Sequence, residues 1–175
     1  MEILIIIFLV MVLLTIWIIS AQRKLTIMDE NVSNAMSQIG IQLSSRVDAL
    51  TALLDLVRDY GDQEIQTLYD RLRLSHFAFT AQSTPEEIGG QEKMIAEALE
   101  RVSSVAECYP DLKEEESYRK RISALDSYEK MMRTSCLIYN DSVTKLNSAI
   151  RMFPTNLIAG MLGFHQREYM EAPGK

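Results

Sequence analysis

The chain has 175 residues and a mildly acidic composition, with 18 lysines and arginines against 24 aspartates and glutamates and a net charge of −6. This balance argues against nucleic acid as a partner, because nucleic-acid-binding domains need a basic surface. Glycine and proline are scarce, and leucine, alanine, glutamate, arginine and methionine are frequent, which favours an all-α chain over one with sheets.

The chain begins with an apolar stretch, Ile3–Ile19, in which Thr15 is the only polar side chain. A helix of this length spans about 25 Å, close to the ~30 Å hydrocarbon core of a bilayer. We therefore predict that residues 1–21 form a transmembrane anchor. A cleaved signal peptide is the alternative, but Met1 and Glu2 supply no basic region ahead of the apolar run.

Two basic residues, Arg23 and Lys24, follow the anchor directly. The positive-inside rule then predicts a single-pass membrane protein with its N-terminus outside and residues 22–175 in the cytoplasm. In that compartment Cys108 and Cys136, which lack CxxC spacing, are expected to be two reduced thiols. An external domain would instead allow a disulfide.

Four helical segments follow the anchor and predict an elongated up-down-up-down four-helix bundle over residues 22–153. The first, Leu25–Tyr60, continues the anchor helix because no proline separates the two, and its apolar residues recur every seven positions. The second runs from about Gln63 to Ala81, and the third from Pro85 to about Cys108. The fourth, from about Lys113 to Phe153, repeats the seven-residue pattern that is typical of a coiled-coil seam.

Capping patterns mark the helix starts. Thr84 and Glu87 enclose a proline at the first helical position and form a capping box. Asp111 with Glu114 predicts a similar cap for the fourth helix, and the acidic run Glu114–Glu116 suits the positive end of its dipole. A cation site at that acidic run is the alternative interpretation.

One charged residue interrupts the apolar seam of each long helix. Arg46 stands in the row of Val32, Ile39 and Leu53, and Glu129 stands in the corresponding row of the fourth helix. If the two long helices are antiparallel, Arg46 lies opposite residues near Glu129. We predict an interhelical ion pair, which more often sets register than adds net stability. The alternative is that both side chains extend outward past the seam.

The C-terminal segment, residues 154–175, is apolar for a tail but too short to cross a bilayer. The antiparallel arrangement brings its start back toward the membrane. We predict either that it packs at the membrane surface beside the anchor or that it folds back over the open end of the bundle. The candidate membrane-contact residues are Leu157, Ile158, Met161, Leu162 and Phe164.

Four blocks of the chain resemble the LemA family of bacterial membrane proteins, at nearly collinear spacing across about residues 28–173. They are Ser37-Gln38-Ile39 with Gln42-Leu43 and Arg46-x-Asp48; Tyr109-Pro110-Asp111-Leu112-Lys113; Tyr139-Asn140-Asp141 with Asn147, Ile150 and Phe153-Pro154-x-Asn156; and Gly163-Phe164 with Glu168-Tyr169 and Glu171-Ala172-Pro173. Glu129 also matches a position that is usually acidic in the family.

The resemblance implies an N-terminal membrane helix with an elongated helical bundle, and a family whose biochemical role is not established. One departure concerns the first helix. The family usually has a proline shortly after its R-x-D motif, which should kink that helix, whereas residues 49–54 contain none.

We find no catalytic motif, cofactor motif or metal-binding motif. His76 and His165 are far apart, and no glycine-rich phosphate loop or nucleophile motif is present. We therefore expect a non-enzymatic, membrane-tethered scaffold that contacts the bilayer and an unidentified protein partner or another copy of itself. The alternative is a metal-dependent or enzymatic site in the bundle core, for which Asp48, Asp141 and Glu129 are the candidate ligands.

Overall fold

The structure, a computed structural model, describes residues 1–60, 63–74 and 79–171, and these residues contain helices and no strand. The all-α prediction with a long apolar helix at the N-terminus is therefore confirmed. The helices, in chain order, are α1 (Glu2–Val57), α2 (Gln63–Leu74), α3 (Pro85–Cys108), α4 (Pro110–Glu114), α5 (Glu116–Arg151) and α6 (Asn156–Ala159).

Helix α1 is continuous over 56 residues, which corresponds to about 84 Å of helix. The apolar residues of its first third are exposed, and Leu25 is the first residue that is buried. From Leu25 onward the seven-residue rows face the interior, with Ile39, Leu43 and Leu50 fully buried. Because no proline follows Asp48, the backbone passes this position without a break.

The main packing partner of α1 is α5, which runs antiparallel to it. Buried side chains of α5, such as Leu125, Met132 and Tyr139, meet the seam of α1. Helices α2 and α3 contact each other and pack on α1. At the end far from the apolar segment, the rings of Tyr60 and Tyr109 are 5.5 Å apart between centroids. The helices therefore form the alternating bundle that the sequence predicts.

Two helix boundaries differ from the prediction. The described part of α2 is Gln63–Leu74, residues 75–78 lie outside the described chain, and Phe79, which the prediction placed in this helix, is not helical. Helix α5 begins at Glu116, because Pro110–Glu114 form a short helix of their own and Glu115 takes an extended conformation between the two. It ends at Arg151.

The predicted capping box is present, and the second cap is not. Thr84 Oγ1 accepts from the Glu87 backbone N–H at 3.2 Å, and the Glu87 carboxylate accepts from the Thr84 N–H at 2.9 Å. Asp111 lies inside the short helix α4, whose N-cap is Tyr109, and neither α4 nor α5 has a side-chain cap. The sequence also predicts that Gly61 ends the first long helix and that Asp62 caps the second, but these two residues lie outside the described chain.

At Gly40 the backbone of Phe79 comes close to α1. A Cβ atom on Gly40 would lie 2.9 Å from both the carbonyl oxygen and the Cβ of Phe79. Real Cβ atoms do not approach backbone this closely, so a side chain here would displace the chain at Phe79. The glycine lets the α2–α3 connection lie against the seam.

The chain reverses direction after α5. A cis peptide joins Phe153 to Pro154, and α6 then packs against both α1 and α5, with Ala159 buried. Gly163, at φ +81°, completes the turn. Residues 165–171, which we call the tail, then run without regular structure back along α5, away from the apolar part of α1.

Candidate functional site

Arg46 is the most deeply buried charged residue among those described, with 4% of its surface exposed. It projects from the seam face of α1 between two carboxylates. Its Nη2 donates to Glu129 Oε2 on α5 at 3.2 Å, and its Nη1 donates to Glu92 Oε2 on α3. The structure thus places Arg46 and Glu129 together and adds a third helix to the same guanidinium.

Glu92 was missed by the sequence analysis. It lies one turn after Ile88 and one turn before Ile95, and both of these isoleucines are buried. Glu92 is therefore a charged residue on the apolar face of α3, just as Arg46 is on the apolar face of α1, and both patterns indicate a buried ion pair. To predict Glu92 as a partner of Arg46, one must know which residues of α3 lie opposite which residues of α1. The apolar pattern of a helix as short as α3 does not give that alignment.

A second arginine extends the cluster on α5. Arg133 Nη2 donates to Glu129 Oε1 at 2.8 Å, so two arginines and two glutamates alternate. Burial raises the pKa of Glu92, the positive charge of Arg46 opposes that rise, and the nearby Glu129 carboxylate adds to it. The pKa is raised overall, so the attraction of Arg46 does not fully offset the free energy that the ionised Glu92 carboxylate loses on leaving water.

The hydrogen-bonding capacity of the cluster is incompletely used. Arg46 Nε and Glu92 Oε1 are buried without a hydrogen-bond partner in the described part of the protein. Buried polar atoms left in this way cost about 1–3 kcal/mol each. The arrangement therefore fits a group that fixes helix register better than one that adds net stability.

A cavity of about 730 Å³ opens beside this cluster, between α3, α5 and the tail. Arg46, Glu92 and Glu129 line one side, Tyr169 and Met170 another. Within residues 1–60, 63–74 and 79–171, no group of three His, Cys, Asp or Glu side chains is arranged to hold a metal ion.

The candidate cation ligands Asp48, Asp141 and Glu129 do not meet. Asp141 is exposed and binds Lys145 at 2.6 Å, whereas Glu129 is engaged by Arg46 and Arg133. Asp48 is also exposed. The alternative interpretation of a shared cation site does not fit this geometry, because Glu129 and Asp141 are separated by about 18 Å along one helix.

The five candidate membrane-contact residues divide into two groups. Leu157 and Met161 are 63% and 86% exposed. Ile158 and Leu162 are half-buried, and Phe164 packs against the core. The segment therefore follows the fold-back alternative in part, since one face lies on the bundle and the other remains apolar and exposed.

Comparison with known proteins identifies a family. No curated protein matches the chain. The sequence model of the LemA family matches residues 35–175, which include α1 from Ala35 to its end, all the other helices and the tail. The chain therefore belongs to the LemA family.

Proposed function

We propose that this protein is a non-enzymatic scaffold tethered to the bacterial cell membrane, in which α1 crosses the bilayer and continues as the central helix of a rigid body. The continuity of α1 carries the proposal. Its most apolar 18-residue window has a mean hydropathy of 3.2 and none of that window is buried, while one face of the same helix is buried from Leu25 onward. An exposed apolar helix of this length suits lipid.

An apolar collar stands at the end of the body nearest the anchor and supports contact with the bilayer surface. Its residues are largely exposed: Met152, Phe153, Leu157 and Met161. They belong to the turn after α5 and to α6 and its C-terminal turn, close to the part of α1 where burial begins. Arg23 and Lys24 lie at the same level and favour a cytoplasmic body.

The polar interior supports a structural role over catalysis. The charges around Arg46 are matched by one another, which is what a helix-joining network requires. Burial raises the pKa of the Cys136 thiol to about 11, so it is almost wholly protonated at neutral pH and a poor nucleophile. A rigid helical body of this kind is suited to holding a protein partner, or a second copy, at a fixed height above the membrane.

The test is a comparison of three forms in membranes: the intact chain, a variant with a flexible glycine–serine linker after Gln22, and a variant without residues 1–21. The first two should stay in the membrane after alkaline carbonate extraction, and the intact chain should keep its full mass of 20.0 kDa. Only the intact chain should give the full set of photo-crosslinked partners, because only it holds the body rigidly. Release by carbonate, a mass that has lost the anchor, or identical crosslinks from the linker variant would refute the proposal.

Orientation has a separate test, because Cys108 is exposed and Cys136 is buried. A maleimide that cannot cross membranes should leave Cys108 unlabelled in intact cells and label it after lysis. Labelling in intact cells would place the body outside. A Cys108→Ser variant serves as the control for labelling of Cys136.

A further inference from the structure

The tail is attached to α5 through its backbone. Asn147 Nδ2 donates to the carbonyl of Arg167 at 2.8 Å, and its Oδ1 accepts from the N–H of the same residue at 2.9 Å. Asn140 does the same for Met170, at 2.8 Å and 2.9 Å. Each side-chain amide thus holds one tail residue by both of its peptide groups, and such contacts do not depend on the side chain of the residue held.

The spacing of the two asparagines matches an extended peptide. They are seven residues apart on one helix, or about 10.5 Å. The residues they hold are three apart, and three residues of extended chain span about 10 Å. Because Asn147 holds Arg167 and Asn140 holds the later Met170, the tail is extended and runs opposite to α5. The Tyr139 hydroxyl donates to the carbonyl of Glu168 at 3.0 Å, between these two points.

Two side chains of the tail add chemical selectivity. Arg167 donates through Nε and Nη2 to Asp29 Oδ1 on α1, at 3.1 and 2.9 Å. Met170 is 5% exposed, and its sulfur lies 3.5 Å from the Cys136 thiol. The site therefore recognises a basic side chain and, three residues later, a long apolar one.

The tail is held by few contacts other than these. Arg167 and Tyr169 are about half exposed, and of residues 165–171 only Met170 is buried. A segment with one buried side chain opens at a small fraction of the free energy of global unfolding. When it opens, it uncovers two paired amide groups and an apolar pocket, all arranged for an extended chain.

We propose that Asn140 and Asn147 form a peptide-binding site, which the tail occupies in this structure and which an extended partner segment with a basic residue three positions before a methionine takes when the tail detaches. The inference rests on the proposed scaffold function, because it names the class of partner that the scaffold holds. It makes the tail an internal competitor of that partner.

The experiment uses the full chain with a protease site inserted between Gly160 and Met161, where neither residue is enclosed, and with Cys108→Ser. After purification in detergent and cleavage, a fluorescent peptide of residues 161–171 should replace the cleaved fragment saturably. Alkylation of Cys136 should be fast with the site empty and slow with it filled. Asn140→Ala and Asn147→Ala should each weaken binding about tenfold, since each removes two hydrogen bonds to the peptide. Asn156→Ala, an exposed asparagine outside the site, is the matched control.

The chemistry of the partner is tested with two sets of extended peptides that are unrelated to the tail. In the first set, arginine stands three residues before methionine. The control set has the same amino-acid compositions, but arginine and methionine are adjacent. The first set should bind and protect Cys136, and the second should not. The proposal is overturned if the cleaved fragment never exchanges, if Asn140→Ala binds as the parent does, or if only the native tail sequence binds, which would make the site a device for self-association. Circular dichroism of the cleaved body checks that it remains helical. Because the assay uses purified protein in detergent, its failure is distinguishable from failure of the membrane scaffold test.

Discussion

At the scale of single residues, the structure depends on one cation shared by three helices. Arg46 comes from α1, Glu92 from α3 and Glu129 from α5. Removing one member of a buried ionic group strands the others, and removing the whole group can be neutral or stabilising. The cluster is therefore expected to specify which helices pack together. A large loss in the free energy of unfolding is expected only when some of its charges are removed and others remain.

Replacing Arg46 alone should be strongly destabilising. Arg46→Met retains most of the volume but leaves Glu92 without its cation and Glu129 with Arg133 alone, and we expect a loss of about 3–5 kcal/mol in the free energy of unfolding. Urea unfolding followed by circular dichroism measures this loss. Arg58→Met is the control, because Arg58 is exposed and, among the described residues, pairs with the exposed acids Asp55 and Asp59; it should change stability by less than about 0.5 kcal/mol.

Combining Arg46→Met with Glu92→Gln and Glu129→Gln should recover much of that loss, since no buried charge of the three then remains. A triple variant as unstable as Arg46→Met alone would show that the arginine stabilises the bundle through packing and not through the charges it neutralises.

The pKa of Glu92 predicts the direction of a pH effect. Its folded-state pKa is raised above 4.5 by burial, so the folded state binds the proton more tightly than the unfolded state. Ionised Glu92 therefore destabilises the folded state at a pH above its raised pKa. This loss should disappear as the pH falls through the raised pKa toward the ordinary value of 4.5. As the pH falls over this range, the free energy of unfolding of the parent should rise relative to that of Glu92→Gln.

Urea titrations of both proteins at a series of pH values provide the measurement. If the parent instead loses stability relative to Glu92→Gln on acidification, the ion pair with Arg46 outweighs burial, and the folded pKa is lowered.

At the scale of helices, seam patterns predicted the long elements well and the short ones poorly. Helices α1 and α5 carry their own seven-residue rows, so both their existence and their antiparallel register followed from the sequence, and Arg46 and Glu129 stood out as interruptions. Phe79, which the pattern placed in the second helix, is not helical and lies against Gly40, a tertiary contact with no local sequence pattern. Asp111 resembled a cap, but Pro110 begins a separate short helix one residue earlier.

Gly40 tests whether that contact shapes the bundle. Alanine normally gains about 1 kcal/mol over glycine inside a helix. Gly40→Ala should nevertheless destabilise, by about 1–3 kcal/mol, because its Cβ would overlap the backbone of Phe79. Gly89→Ala is the control, since no atom lies within 4 Å of a Cβ at that position of α3, and it should stabilise by up to about 1 kcal/mol. Equal stabilisation by both substitutions, in thermal unfolding scans, would contradict the close approach of α1 and Phe79.

At the scale of the whole molecule, α1 and α5 form one long antiparallel pair. The tail was the least predictable part, because asparagine–backbone contacts leave no periodic pattern: Asn140 and Asn147 were visible in the sequence only as members of a family-like block. What the sequence showed clearly was the anchor and its uninterrupted passage into the body. From this continuity follows the central claim, that α1 is a single rigid rod from the bilayer into the bundle.

The distance between spin labels at Ser20→Cys and Gln38→Cys, measured by double electron–electron resonance in lipid nanodiscs, tests this claim most directly. Both positions are exposed, and they lie on the same face of α1 on either side of the junction at residue 22. With Cys108→Ser, the buried Cys136 thiol, whose pKa is raised to about 11, should remain unlabelled. A continuous helix predicts one narrow distribution centred near 27 Å. A broad distribution, or one centred well below that distance, would show a hinge at the membrane surface and contradict the rigid rod.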